Sequence, residues 1–308
     1  MIKNGLILML FTGMLVLFYA CGDDDDNGPG DDGNAPLIGF AEDRDSYRPD
    51  HGESRSASTD HIHVRFSVED PAGIDEIHVG TSTQFIGEVD HGFDLLNVLE
   101  VHSSSATEEH LVIDEGANFV NVDNWRTDIY WEGSTSRIDG EVIAGPYDFT
   151  VAARDIFGNE TTGDEMVTNR FYINRTYAPA VEVTNHHDGE IHGHGGEALS
   201  VEGTISTGEG DEAGDLAFIW IRLVDEDLHD DFDPGQVVDG LEAVWGESRR
   251  IAASGADLPP VASLNLEEIL TGDNEMVLPE GHGHYDLIIW AEDAHGNVTR
   301  TAVHVHAD

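Results

Sequence analysis

Between His61 and Val68 apolar and polar residues alternate, with Ile62, Val64, Phe66 and Val68 on one side and His61, His63 and Arg65 on the other. A period of two is the pleat of a half-buried β-strand. Leu216 to Val224 (LAFIWIRLV) is apolar on both faces, the pattern of a central strand covered on both sides. Asp70-Pro71-Ala72-Gly73 supplies turn chemistry, so the chain is predicted to reverse between two strands there. The stretch 241–278 fits this scheme least. Within it, Val261 to Leu270 (VASLNLEEIL) reads either as a short helical insertion or as a strand with its loop.

Self-comparison organises these strands. Residues 145–161 read GPYDFTVAARDIFGNET and residues 283–299 read GHYDLIIWAEDAHGNVT, so Gly, Tyr, Asp, Ala, Asp, Gly, Asn and Thr recur at a constant offset of 138. The chain is a tandem duplication. Ala35-Pro36 and Ala178-Pro179 open the two units, which predicts domains over 35–176 and 177–308. Short alternating strands and turn signals predict an all-β protein of two immunoglobulin-like antiparallel sandwiches, seven strands each. In the repeated motif Tyr147 and Tyr285 are candidates for a tyrosine corner at the start of strand F. Asp155 and Asp293 then open hairpins whose left-handed positions fall to Gly158-Asn159 and Gly296-Asn297. Trp220 stands where such a sandwich places the buried tryptophan of strand C.

The N-terminus points to an exported, anchored protein. Lys3 precedes an apolar run from Leu6 to Ala20, too short for a transmembrane helix and of the length of a signal peptide. Cys21 follows directly, and Leu17-Phe18-Tyr19-Ala20-Cys21 resembles a bacterial lipobox, which implies residues 1–20 as leader and lipidation of Cys21. The segment 21–34, with its run GDDDDNGPGDDGN, cannot bury a core and is expected to be an acidic tether. An acidic run behind a lipidated cysteine resembles the surface-export signal of Bacteroidota lipoproteins, which implies the outer face of the outer membrane, with a periplasm-facing anchor as the alternative. Cys21 is the only cysteine, so no intrachain disulfide forms.

Charge removes some function classes. Among 308 residues, 62 Asp and Glu face 14 Lys and Arg, for a formal net charge of -48. No basic face exists to displace counterions from a polyphosphate, so nucleic acid is excluded as a partner. Lys3 is the only lysine. A surface this dense in carboxylates is expected to need salt to screen its self-repulsion. No nucleophile elbow, zincin motif or phosphate-cradling glycine loop is present, and the reading is of a non-enzymatic protein.

Histidine carries the candidate chemistry. The 17 histidines include four H-x-H pairs: His61/His63, His192/His194, His282/His284 and His304/His306. On an extended chain residues i and i+2 share a face, so both imidazoles of a pair can turn to one metal ion. In an immunoglobulin-like topology the A–B, C–D and E–F loops and the end of strand G share one pole. That pole of the second unit is predicted to gather His186, His187, His192, His194, His282, His284, His304 and His306, with Asp188 or Asp286 completing the shell or orienting a ring. His295 is predicted at the opposite pole. Zinc, copper or nickel is the expected ion. The acidic loop 225–233 (DEDLHDDFD, with His229) is a lesser candidate for calcium, since it lacks EF-hand spacing. A weaker group, His51, His61, His63 and His78, is expected in the first unit. The rival reading is an adhesion or glycan-binding module that offers Trp125, Trp131 and Trp245 to an extracellular protein or sugar.

The motif at 283–297 (GHYDLIIWAEDAHGN), together with Glu197-Ala198-Leu199-Ser200-Val201-Glu202-Gly203 opening strand B, resembles a Bacteroidota lipoprotein family known as domain-of-unknown-function family 4625. The resemblance runs over about 178–308 and implies that His192, His194, His282 and His284 match family positions. Before Leu278-Pro279, where the family tends to carry further histidines, this chain has Asp273, Asn274, Glu275 and Met276. The resemblance implies no established activity.

Overall fold

Strands form here wherever alternation lets one face be buried, and two sheets close over each apolar set. The computed structural model describes residues 30, 32–56, 63–82, 95–102, 113, 114, 116–126, 143–226 and 237–308. Cys21 with the leader and most of the tether, His61, Trp131 and the 227–233 part of the acidic loop with His229 lie outside the described residues.

The first unit runs β1 (Leu37–Gly39), β2 (Ser54–Ser56), β3 (His63–Glu69), β4 (Ile74–Ser82), β5 (Leu95–His102), β6 (Phe119–Arg126), β7 (Gly145–Asp155) and β8 (Val167–Asn174). One sheet has the order β1-β3-β6 and the other β2-β8-β7-β4-β5. The second unit repeats this plan with β9 (Ala180–Val183), β10 (Glu190–Gly193), β11 (Gly203–Ser206), β12 (Leu216–Asp225), β13 (Val237–Gly246), β14 (Ser263–Asn265), β15 (Gly283–Asp293) and β16 (Val298–Ala307). Its sheets are β14-β11-β9 and β10-β16-β15-β12-β13. Both units are immunoglobulin-like β-sandwiches.

Two expectations about strands need correction. Each unit has eight strands among the described residues, and one pair in each is parallel: β2 with β8, and β10 with β16. The first strand is split in two. Asp188 and Gly189, both at positive φ (56° and 92°), turn the chain after β9 so that β10 crosses to the edge of the other sheet. Val261 to Leu270 holds both alternatives at once, with β14 followed by a single helical turn, α1 (Leu266–Ile269), capped by the Asn265 side chain accepting from the Glu267 N–H at 2.9 Å.

The alternation of the first unit becomes its core: Val64, Phe66 and Val68 meet Ile77, Val79, Phe149, Val151 and Phe171. Tyr147 makes the corner, its hydroxyl donating to the Ile143 carbonyl at 3.0 Å; Tyr285 does not repeat it, and its ring lies against Gly283 instead. The repeated hairpins match each other closely. Asp155 Oδ1 accepts from the Phe157 and Asn159 N–H groups at 2.9 and 2.7 Å, and Asp293 Oδ1 accepts from His295 and Asn297 at 2.9 and 2.8 Å. Gly158 and Gly296 take the positive φ, 92° and 83°.

Trp220 does not lie between the sheets of its unit. Ile219, Ile221 and Leu223 of β12 take the intersheet core, so Trp220 falls on the outer face, where it packs with Phe218, Trp290, Val298 and Tyr172 of the first unit. Both faces of β12 are apolar because the first unit covers the outer one. A buried cation seals this joint. Arg250, 3% exposed, donates from Nη1 to the Gly296 carbonyl at 2.8 Å and from Nη2 to the Pro146 carbonyl at 2.9 Å. Nearby, Asn297 Oδ1 accepts from the Ala144 N–H at 3.2 Å and the Val298 N–H donates to the Ala144 carbonyl at 3.1 Å. Glu292, fully buried, accepts from Ser248 Oγ and the Arg249 N–H, both at 2.6 Å. Its burial pushes the carboxyl pKa up from the ordinary glutamate value.

Candidate metal centre

The far end of the same outer face, beyond the joint, is polar. Val303, Val305 and Ala307 of β16 are buried in the core, so pleating turns His304 and His306 outward. Ile191 does the same for Glu190 and His192 on β10. The ladder then sets the neighbours. Glu190 and Asp286 flank His304, while His192 and His284 flank His306. One step further along, Gly193 and Gly283 both pair with Ala307, and the Gly195 N–H donates to the Asp308 carbonyl at 3.1 Å. That register places His194 and His282 on either side of Asp308.

Distances show which of these side chains meet. His284 Nδ1 lies 3.3 Å from His304 Nε2. Two metal–nitrogen bonds of about 2.0–2.1 Å at a tetrahedral angle hold their nitrogens about 3.3–3.4 Å apart. The same spacing also serves an N–H···N hydrogen bond, and the tautomers decide between the two. The other nitrogen of His304, Nδ1, is 3.4 Å from Asp286 Oδ1 and 4.0 Å from Glu226 Oε1. With Nδ1–H given to buried Asp286, the Nε2 lone pair is left for a cation, the arrangement by which a carboxylate orients a ligating imidazole.

Two sets of three groups bring their donor atoms within 4.8 Å of one another: Glu226, His284 and His304, and His282, His306 and Asp308. The His284 and His306 rings stack between the sets, 4.7 Å apart and 9° from parallel. Acidic oxygens stand close to other rings too, with Glu190 Oε2 3.8 Å from His192 Nε2 and Asp308 Oδ1 3.7 Å from His306 Nε2. Such a field favours cations over anions.

Four of the eight candidate imidazoles thus come together: His282, His284, His304 and His306. His192 is beside them, its ring 5.4 Å from that of His306, but it belongs to neither set. His194 is exposed at the next turn and also falls outside both. His186 and His187 occupy the exposed reversal before β10, where His187 Nδ1 contacts Asp188 Oδ2 at 3.1 Å, so Asp188 serves that turn and not the cluster. The sequence pattern places His186, His187, His192 and His194 in one loop at a pole of the unit. In the fold it is strand register that gathers histidines, and the reversal carries His186 and His187 past the end of the sheet. His295 does sit at the opposite end, its Nδ1 3.2 Å from the Glu212 carbonyl.

Glu226 and Asp308 were not singled out from the sequence. Carboxylates are too numerous for either to stand out, and only the tertiary structure brings their oxygens beside imidazoles. In the first unit no comparable set forms among the described residues: His78 Nε2 pairs with Glu76 Oε1 at 2.8 Å, and His51 Nδ1 accepts from the Arg170 N–H at 3.2 Å. Trp245 is not a surface aromatic; it is 7% exposed in the core of the second unit, because β13 presents Leu241, Ala243 and Trp245 inward.

No protein-family model matches this chain, and no curated protein matches it. Among solved structures it is similar to the fibronectin(III)-like modules of Clostridium thermocellum CbhA, at 12% identity over 88% of this chain and 94% of that one, with a TM-score of 0.22. It is also similar to the extracellular cadherin domains 3–6 of protocadherin gamma B2, at 14% identity over 91% of this chain and 52% of that one, with a TM-score of 0.22. A tetra-tandem repeat from the extending region of a large adhesion protein is similar at 14% identity over 89% of this chain and 50% of that one, with a TM-score of 0.24. At these scores the likenesses carry no argument about activity; the architecture rests on the strand pairing itself.

Proposed function

We propose that this chain is a non-enzymatic lipoprotein, held at the outer membrane by a lipid on Cys21, whose second unit captures a transition-metal ion on the histidine face of its sheet. The surface-exposed side of that membrane is the proposed location, from the acidic run behind Cys21. The observation that carries the metal reading is the 3.3 Å separation of His284 Nδ1 and His304 Nε2, with Asp286 behind His304 and Glu226 beside it. Nitrogen-rich donors suit zinc, copper or nickel, and they disfavour calcium, which takes oxygen ligands.

The test is a titration of the full, untagged chain in molar salt with zinc, copper and nickel. Tight binding that disappears when His282, His284, His304 and His306 are all changed to alanine is the expected result. Absence of binding by the parent chain would overturn the reading.

A second reading is an adhesion module, and a different surface supports it. Leu37 and Phe119 flank Glu69 across β1, β3 and β6 and are 69% and 42% exposed; Ile156 and Phe157, at the tip of the β7–β8 hairpin, are 47% and 46% exposed. Exposed apolar residues of this size suit contact with an extracellular protein. Loss of cell or protein adhesion in a Phe119→Ser/Phe157→Ser variant, with metal binding intact, would favour that reading.

A further inference from the structure

Resting on the metal-binding reading, we infer that the face holds two ions side by side, each between two imidazoles and one carboxylate. Glu226, His284 and His304 form one centre; His282, His306 and Asp308 form the other. The two sets share no residue, and in each the donor atoms lie within 4.8 Å of one another. Ligands at about 2.1 Å from one ion stand at most about 4.2 Å apart, so small side-chain rotations close either set.

The stacked rings of His284 and His306 belong to different sets. A single carboxylate in each set offsets part of the ionic charge, and Asp286 and Glu190 add negative charge on either side of His304. Two cations can therefore sit close together at less cost than on a neutral surface.

Each centre supplies three ligands, one fewer than a closed structural zinc site. The remaining position is open to solvent because His282, His284, Glu226 and Asp308 are exposed. Ions held this way exchange. The face acts as a double, reversible binding site and not as a staple for the fold.

The deciding experiment dialyses the chelator-stripped, untagged full chain to equilibrium against zinc in molar salt and counts bound ions by elemental analysis of the two compartments. Two zinc ions per chain are expected. A His282→Ala/Asp308→Asn variant and a His284→Ala/His304→Ala variant should each keep one, their combination none, and His192→Ala two. Cobalt(II) absorption should halve in each pair variant. Circular dichroism checks folding, and His282→Gln and His284→Gln serve where an alanine pair does not fold. One ion in the parent, or loss of all binding in either pair variant, overturns the paired centres while leaving the metal-binding reading in place. No ion in the parent removes both.

Discussion

The Arg250 guanidinium of the second unit donates to the Pro146 carbonyl of the first at 2.9 Å, from a side chain otherwise sealed from water. Burial lowers its pKa from the usual arginine value, yet it stays charged, and its other nitrogen holds Gly296. Removing it takes away two buried charged hydrogen bonds. Arg250→Ala is expected to cost about 2–4 kcal/mol, from charged hydrogen bonds worth about 1.5–3 kcal/mol each, and to split one thermal transition into two. Scanning calorimetry in molar salt checks this; a single transition at the parent temperature would contradict it.

Glu292 gives a pH dependence with a definite sign. Its folded pKa is raised by burial above the unfolded value, so the folded state holds this proton more tightly. Its contribution is present below the unfolded pKa and is lost as pH rises toward the folded one. Glu292→Gln is therefore expected to flatten the decline of stability with pH in the window just above the ordinary glutamate value. Denaturant midpoints across that window, at fixed salt, provide the measurement; parallel curves for parent and variant would refute the assignment.

Asp155 and Asp293 close equivalent hairpins, but Asp293 also accepts from the Gly214 N–H at 3.2 Å and orients Asn297, which reaches Ala144 of the other unit. Asp293→Ala leaves the buried Gly214 and Asn297 N–H groups unpaired, at about 1–3 kcal/mol for each group, whereas the Phe157 and Asn159 N–H groups that Asp155 holds are only part-buried and water can replace it. Asp293→Ala is expected to be the more damaging of the two. Urea unfolding of the pair tests the order, and equal losses would mean that the contact between units adds nothing.

With a net charge of -48, self-repulsion weakens folding at low salt. The screening length falls from about 30 Å at 0.01 M to about 3 Å at 1 M. The melting temperature should rise steadily over that range. A flat response would show that the carboxylates are too dispersed to matter.

The candidate site was half legible. Alternation in Val303-His304-Val305-His306-Ala307 requires both imidazoles to leave the core together, and the H-x-H pairs at 282 and 304 follow from the same reasoning. Glu226 and Asp308 were hidden because a carboxylate has no sequence signal when acids are everywhere. His192 has the same spacing and pairs with His306 of β16 from the sheet edge, yet its donor atoms fall in neither three-residue set.

By itself the sequence determined the duplication, the all-β class and the outward imidazoles, since these depend on local turn chemistry and a two-residue period. Tertiary structure alone decided which strands are neighbours and what covers an apolar outer face. Trp220 shows why. A strand apolar on both sides carries no local sign of which side meets its own partner sheet, and only docking against Tyr172 of the first unit resolved it. The joining of Glu226 to His284 and His304 has the same origin, because the pairing of β12 with β15 and of β15 with β16 brings together residues that lie far apart along the chain, with Glu226 just past the end of β12.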